Sequence, residues 1–539
     1  VIEFPKALPV RAKLIQETIN GGIMKARFTC SVPGSRWSLL LAAVLCLGLA
    51  SMASAQDLAS FEKRITVKTL GNGMTLIVCE RPEAPVFSFY THVNAGAAQE
   101  VDGISGVAHM FEHMAFKGTE HIGTTDFAKE KVALENVEKA YAAWDAERRR
   151  EPKVDEAKVV ETEKAFRAAI DKADKFVVKN EFGEIVDREG GVGLNAYTNW
   201  DETGYFYSLP SNRLELWAYL ESERFAKPVF RDFYKERDVV QEERRMRTDS
   251  NPIGRLIEQF CDSAFAAHPY RRPVVGWMSD LQAFSATDAK KFYATNYVPS
   301  NIVVTVVGDV KAADVIALAE RYFGRIPKAA DPEPLRTVEP KQIAEKLVTI
   351  FDPSQPFYIE GYHKGNWQDP DDAVYDAISD ILSNGRVSRL YRSLVRDKKI
   401  AAASAGFSGF PGQKYPNLFA FYGVPTPGHT NEEVRDAIRA EIEKLKTEDV
   451  TADELKMVKT RAKADLLRNL GSNDGLAQAL GGAQARKGDW RELFRQVERI
   501  DKVTKEDIRR VASATFVATN RTVAVIETKE AGKDAKEAK

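Results

Sequence analysis

The sequence predicts an α+β chain of two homologous α/β-sandwich domains, each a mixed sheet with helices packed on it. Three observations carry that expectation. Alternating, strand-like segments and amphipathic helical segments follow one another from about residue 60 onward. A helix–turn–strand pattern at residues 287–303 recurs without gaps at residues 506–522, with Asp288 matching Asp507 and Asn301 matching Asn520. Between the copies, residues 327–340 carry four prolines and little apolar periodicity, which marks a linker. The expected organisation is a first domain at 60–327, a linker at 328–342, a second domain at 343–529 and a charged tail at 530–539. A chain of 539 residues is long enough for this, since about 150 residues per domain would allow two to four units.

Composition narrows the function. Hydrophobic residues make up 44% and charged residues 29% of the chain, both globular values. Lys plus Arg is 77 against Asp plus Glu at 78, and no basic run is long, so neither nucleic acid nor an anionic membrane is an expected partner. Residues 1–23 precede the first methionine and are read as upstream sequence. A secretory signal is expected over residues 24–55. Lys25, Arg27 and Arg36 form its basic end, residues 37–50 its apolar core, and Ala53-Ser54-Ala55 a small-residue cleavage site before Gln56. The core is too short for a permanent membrane span, so the expectation is an exported, periplasmic protein cut after Ala55, with no stable membrane anchor. Cys30 and Cys46 leave with the signal. Cys79 and Cys261 remain, and two cysteines make no disulfide framework; buried free thiols are expected.

In order along the mature chain, residues 65–80 with Gly71-Asn72-Gly73 read as two strands around a tight turn, and residues 85–94 as a third strand. A helix is expected from Ser105, with that serine as its cap. Residues 124–180 change character: rich in Glu, Lys, Ala and Arg, they form two helical patterns divided by Pro152. Val132, Leu134, Val137, Ala140, Tyr141 and Trp144 make one apolar stripe, and Val159, Phe166, Ile170 and Phe176 the other. An inserted antiparallel helical hairpin is predicted. Gly190 to Thr198 leads into an aromatic strand at 203–208. Its glycines lack the lysine and helix start of a phosphate loop. An amphipathic helix at 213–225 and a highly charged one at 233–247 complete the first domain's distinctive elements.

The chemistry centres on His109-Met110-Phe111-Glu112-His113. Residues four apart on a helix share a face, so His109 and His113 can direct ring nitrogens at one Zn²⁺ ion. Glu112 lies close to the same face, where a carboxylate can relay a proton to and from attacking water. Only seven histidines occur in the whole chain, so this pairing around a glutamate is informative. The order inverts the commoner His-Glu-x-x-His arrangement. A catalytic zinc usually has three protein ligands, and the acidic helix, with Glu236 and Glu243 two turns apart on one face, is the best source of the third.

With those residues in view, the chain resembles the pitrilysin/insulinase family of zinc metallopeptidases, in particular its mitochondrial-processing-peptidase-like bacterial branch, over almost all of the mature sequence. The resemblance rests on His109-x-x-Glu112-His113, Phe116-Lys117-Gly118-Thr119, Asn195-Ala196-Tyr197-Thr198 and Glu236-Arg237-x-Val239-Val240-x-x-Glu243. It implies one zinc per catalytic subunit on His109, His113 and Glu243, with Glu112 as general base and Glu236 as acidic support. Glu242 is the second choice for the ligand, because it misses the seven-residue step from Glu236. Asn195 and Ala196 would lie on the edge strand that takes substrate as an added strand, and Phe116 would wall the pocket, though it also reads as an ordinary core aromatic. The two domains would form one half of a clam-shell chamber that admits unfolded peptides.

The sequence departs from this family in two places. His113 and Glu243 stand 130 residues apart (243 − 113), and the hairpin supplies the excess; it is expected to enlarge a loop without touching the motifs, so that its removal leaves the metal site intact. Family members that act alone or as homodimers carry an Arg and a Tyr seven residues apart in the second domain. Here Arg396 is present and position 403 is alanine. The resemblance is therefore to the catalytic subunit of a heterodimer, with a sister subunit bringing the Arg/Tyr pair; a homodimer is the less favoured arrangement. The expected function is a zinc-dependent endopeptidase. The alternative is a non-catalytic chamber or scaffold subunit, but such relatives lose the zinc motif, and this chain keeps every acid and base of it.

Overall fold

The computed structural model describes residues 61–528. The expected signal segment, Cys30, Cys46 and the charged tail lie outside the described residues. The elements below belong to one unit that begins at Arg64.

Two mixed sheets organise the chain. The first runs in the order β1-β2-β6-β3-β5-β4, formed by β1 (Ile65–Thr69), β2 (Thr75–Glu80), β3 (Val86–Val93), β4 (Val192–Thr198), β5 (Thr203–Pro210) and β6 (Ile302–Gly308). The second runs β7-β11-β8-β10-β9, formed by β7 (Lys346–Asp352), β8 (Phe357–Lys364), β9 (Ala401–Phe410), β10 (Asn417–Pro425) and β11 (Arg521–Thr528). Each contains one parallel pair, β2 with β6 and β7 with β11, and is otherwise antiparallel.

The helices in chain order include α1 (Val107–Met114), the hairpin helices α2 (Phe127–Arg148) and α3 (Glu156–Ala173), α4 (Leu214–Ala226), α5 (Phe233–Arg244) and α6 (Pro252–Ala264). They continue with α7 (Ala286–Asn296), α8 (Ala312–Tyr322), α9 (Asp372–Ser383), α10 (Asn431–Thr447), α11 (Asn473–Lys487) and α12 (Lys505–Thr515). The expected helix at 233–247 ends as α-helix at Arg244 and continues as a wider turn over Arg245–Asp249.

The repeat read from sequence is physical. Ser285 with Asp288, and Thr504 with Asp507, form reciprocal capping boxes at the starts of α7 and α12. Asn301 Nδ2 donates to the Asn296 carbonyl at 2.8 Å, and Asn520 Nδ2 to the Thr515 carbonyl at 3.0 Å. Each asparagine closes the turn that feeds β6 or β11.

Strand alternation sorts side chains between two faces of each sheet. Phe87, Phe89 and Val93 of β3 join Val304, Val306 and Trp217 of α4 in one buried core. The opposite face, with His92 and Thr305, is covered by α11 from the far end of the chain. A β-carbon on Gly481 would stand 2.7 Å from both His92 and Thr305, so glycine permits this close approach. The second sheet mirrors the arrangement. Tyr362, Phe419, Phe421 and Val523 face α9, α10 and α12, while Ile359, Leu418, Ala524 and Ile526 meet Leu256, Ile257 and Phe260 of α6. Each sheet is thus closed on one side by a helix from the other half of the chain. Full burial of such side chains contributes roughly 1.5–3 kcal/mol each, so this exchange binds the halves firmly.

The inserted hairpin forms as expected, its helices capped by Asp126 and Asp155. Val137, Tyr141, Phe166 and Ile170 are buried; Leu134, Ala140 and Trp144 pack beside them. Val132 does not belong to the stripe and is exposed. Five residues before Val137, it lies well round the helix from the 134/137/141 face. Cys79 and Cys261 are both buried free thiols, and burial raises the Cys79 pKa to about 11.

Candidate metal centre

Helix α1 is a short element stood on its N-terminus by a buried acid. Ser105 is not its cap: the serine hydroxyl donates to Asp280 Oδ2 at 2.7 Å, and the capping position is Gly106 in the left-handed region (φ 89°). The first free backbone donors instead reach Glu100, from Gly106 N at 2.9 Å and from Ala108 N at 2.8 Å. Burial pushes the Glu100 pKa up to about 8, against those two N–H groups and Arg272. A carboxylate here also meets the positive end of the helix dipole.

One turn apart, His109 and His113 project together, their rings edge-on with centroids 4.9 Å apart. Helix α5 brings Glu243 to them. Its Oε2 lies 3.6 Å from His109 Nε2 and 3.3 Å from His113 Nε2, and ligand atoms of all three residues fall within 4.8 Å of one another. In a tetrahedral site with bonds of about 2.0–2.1 Å, ligand atoms stand about 3.3–3.4 Å apart. The observed spacing fits that geometry and the donor set suits zinc. Glu242 faces outward, largely exposed and paired with Arg245.

The surrounding groups orient the cluster. Glu236 Oε2 sits 3.5 Å from His113 Nδ1, and its other oxygen is held by the Lys117 ammonium. Arg247, one turn beyond Glu243, pairs with the carboxylate oxygen turned away from His113. Glu112 Oε2 approaches His109 Nε2 only to 3.9 Å, and Thr198 at the end of β4 faces its carboxyl. Burial raises the Glu112 pKa above the usual carboxylate range.

The two histidines differ in charge. Burial lowers the His109 pKa to about 4, leaving the ring neutral near pH 7. Burial opposes charge on His113 too, but the carboxylates of Glu236 and Glu243 outweigh it and carry its pKa up to about 9. Burial likewise works against the Glu243 carboxylate, yet His113, His109 and Arg247 together lower its pKa to about 2. A metal taken up by these three residues would displace a proton from His113, so its affinity is expected to rise with pH until about 9, by about tenfold per unit where that one proton is displaced. Zinc titrations from pH 6 to 9, with proton release followed by calorimetry in two buffers, check this.

Of the expected substrate residues, Asn195 and Ala196 lie on β4, the edge of the first sheet, which among the described residues pairs only with β5. Asn195 is exposed and Ala196 buried; α1 lies against this strand. Phe116 is half-buried, its ring edge-on to Phe182 and under the Arg224 guanidinium at 5.4 Å, which is a core contact. In the second half, Arg396 is exposed and paired with Asp397, and Ala403 sits on β9, the edge of the second sheet.

The hairpin touches the motifs, contrary to the expectation of an independent loop. Tyr234 Oη donates to Glu138 at 2.7 Å, and Arg237, inside the acidic motif, donates to Tyr141 Oη at 3.0 Å. Sequence reasoning also gave no role to Glu100, Lys117 or Arg247. Of these, only Arg247, four residues after Glu243, carries a local signal.

Comparison with known proteins places this geometry. The family described as Insulinase (Peptidase family M16) matches residues 77–149, which include His109, Glu112 and His113. The description Peptidase M16 inactive domain matches residues 283–462. The chain belongs to the insulinase family of peptidases. Among its insulinase relatives is the zinc protease PqqE of Helicobacter pylori, 29% identical over 447 residues, covering 81% of this chain and 86% of that one. A crystal structure of a protease from Helicobacter pylori aligns with TM-score 0.71 at 28% identity, covering 86% of this chain and 99% of that one. The periplasmic protease PqqL of Escherichia coli shares the fold, with TM-score 0.63 at 18% identity; 87% of this chain matches 48% of that one.

Proposed function

We propose that this protein is a zinc-dependent endopeptidase of the mitochondrial-processing-peptidase-like branch, acting on unfolded peptides or protein segments in an enclosed chamber. The observation that carries the reading is the convergence of His109, His113 and Glu243, with Glu112 on the same helix and the free edge of β4 beside it. Zinc held by the three ligands would polarise a peptide carbonyl and make water nucleophilic at neutral pH. Glu112 takes the proton from the attacking water and hands it to the leaving amine; its raised pKa brings it nearer the pH at which it must do both. Glu236 accepts the His113 Nδ1–H and so leaves Nε2 for the metal. The substrate backbone adds to β4 as a further strand, aligned by Asn195 and Ala196, with Phe116 at the wall of the pocket.

A sister subunit completes the chamber. Ala403 has no donor for a substrate or oxyanion, so an Arg/Tyr pair comes from the partner; the match of this chain to about half of PqqL supports a two-half assembly. Export to the periplasm is part of the same proposal. It is supported by the signal-like segment before Gln56 and by the periplasmic relative PqqL. Among the described residues no helix is long and apolar enough to cross a membrane.

The test is hydrolysis of a quenched, unstructured peptide by zinc-loaded protein, alone and with a purified sister subunit. Chelator-sensitive cleavage restored by zinc is expected only with the partner. Cleavage by the protein alone, unaltered by the partner, removes the heterodimer and keeps the peptidase. No cleavage in either arm, with zinc bound, overturns the peptidase reading.

A further inference from the structure

The inserted hairpin reaches the metal centre through one buried ion pair. Arg231, just before α5, is 1% exposed, and Glu130 on α2 is 0% exposed. A guanidinium offers five N–H donors in a planar fork, and here all five are taken. Nε donates to Glu130 Oε1 at 2.5 Å and Nη2 to Glu130 Oε2 at 2.8 Å. Nη1 donates to the carbonyls of Lys117 at 2.6 Å and Ile122 at 3.1 Å, and Nη2 to that of Thr119 at 3.0 Å. The loop leaving α1 is shaped for this guest. Gly118 and Gly123 have φ near +90° and +85°, and β-carbons there would stand 3.0 and 2.8 Å from Arg231 Nη1.

From that seat the contacts run straight to a histidine. Arg231 fixes the Lys117 carbonyl, the Lys117 ammonium holds Glu236, and Glu236 faces His113 Nδ1. The same arginine leads directly into α5, which carries Glu236 and Glu243. One guanidinium therefore sets the register between the loop leaving α1 and the helix that brings the third ligand. Among the described residues its only carboxylate partner belongs to the hairpin.

We propose that Glu130 and Arg231 are positioning residues of the metal centre, which makes the inserted hairpin a working part of it and not an enlarged loop. This rests on the reading of His109, His113 and Glu243 as metal ligands. Without its anion the buried guanidinium cannot keep its place, and the Lys117–Glu236–His113 line loses its anchor.

Glu130→Gln keeps the shape of the side chain and removes its charge. Zinc affinity is read by competition with a chromophoric chelator, and ligand geometry by the visible spectrum of the Co²⁺-loaded protein, at a temperature where circular dichroism matches the parent. Affinity is expected to fall at least tenfold with an altered cobalt spectrum, and Glu130→Asp to recover part of both. Arg231→Lys, which keeps the charge and loses the fork, is expected to fall likewise and serves if Glu130→Gln does not fold. A parent-like affinity and cobalt spectrum with only a lowered melting temperature would overturn the proposal. A parent protein that binds no zinc removes the metal reading and this inference with it; tight binding by parent and variants alike removes only the inference.

Discussion

Glu112→Gln is expected to keep its zinc and lose peptidase turnover, by about 10²–10⁴-fold if proton transfer alone is removed. That range corresponds to about 3–5 kcal/mol of barrier. Glutamine preserves the volume and one acceptor of the side chain, so packing beside Thr198 and His109 should not change. What it removes is the ability to take a proton from water and return it to an amine. The expected separation of metal from activity follows from distance: Glu243 Oε2 lies 3.3–3.6 Å from the two histidine nitrogens, whereas Glu112 comes no nearer than 3.9 Å to His109. Elemental analysis and peptide kinetics on the same preparation, the kinetics with the sister subunit added, decide the matter. Turnover near the parent level would exclude Glu112 as the base, and loss of zinc would make it a support of the metal.

The residues that can be read from sequence here are those whose partners are close in the chain. His109, Glu112 and His113 share a helical face at spacings of three and four, so their convergence needs only that the helix form. The seven-residue step between Glu236 and Glu243 puts both on one side of α5, where they meet His113 from two directions. The internal repeat was legible because its capping boxes and turn asparagines are local devices preserved in both copies.

What escaped is long-range and polar. The first backbone donors of α1 reach a glutamate outside the helix, and the serine expected to cap it was drawn away by Asp280, 175 residues distant. The hairpin looked separable because its Glu- and Lys-rich composition points to no particular partner. The structure instead commits Glu130, Glu138 and Tyr141 to Arg231, Tyr234 and Arg237. No periodicity reports which glutamate of a charged helix will be buried. The exchange of α6 and α11 between sheets was equally hidden, since an apolar helical stripe does not state which sheet it will cover.

Glu243→Gln is expected to lower zinc affinity by more than about 100-fold, beyond the 10- to 100-fold typical of changes one layer out from a metal. The carboxylate does three things in one place. In the proposed site it would supply the third ligand atom and the negative charge that two neutral imidazoles lack, and it is kept ionised by His113, His109 and Arg247 down to about pH 2. An amide retains an oxygen at that position but not the charge, and it leaves Arg247 facing a neutral group. Glu242→Gln is the matched control, because its carboxylate is mostly exposed and engaged with Arg245; it is expected to bind zinc as the parent does. Competition titrations on the two variants, with melting curves to verify folding, separate the assignments cleanly. If Glu242→Gln loses the metal and Glu243→Gln keeps it, the ligand is one residue earlier and α5 must be rotated by about 100° from the orientation described. Equal retention by both would leave two histidines alone on the metal, too few for a catalytic zinc.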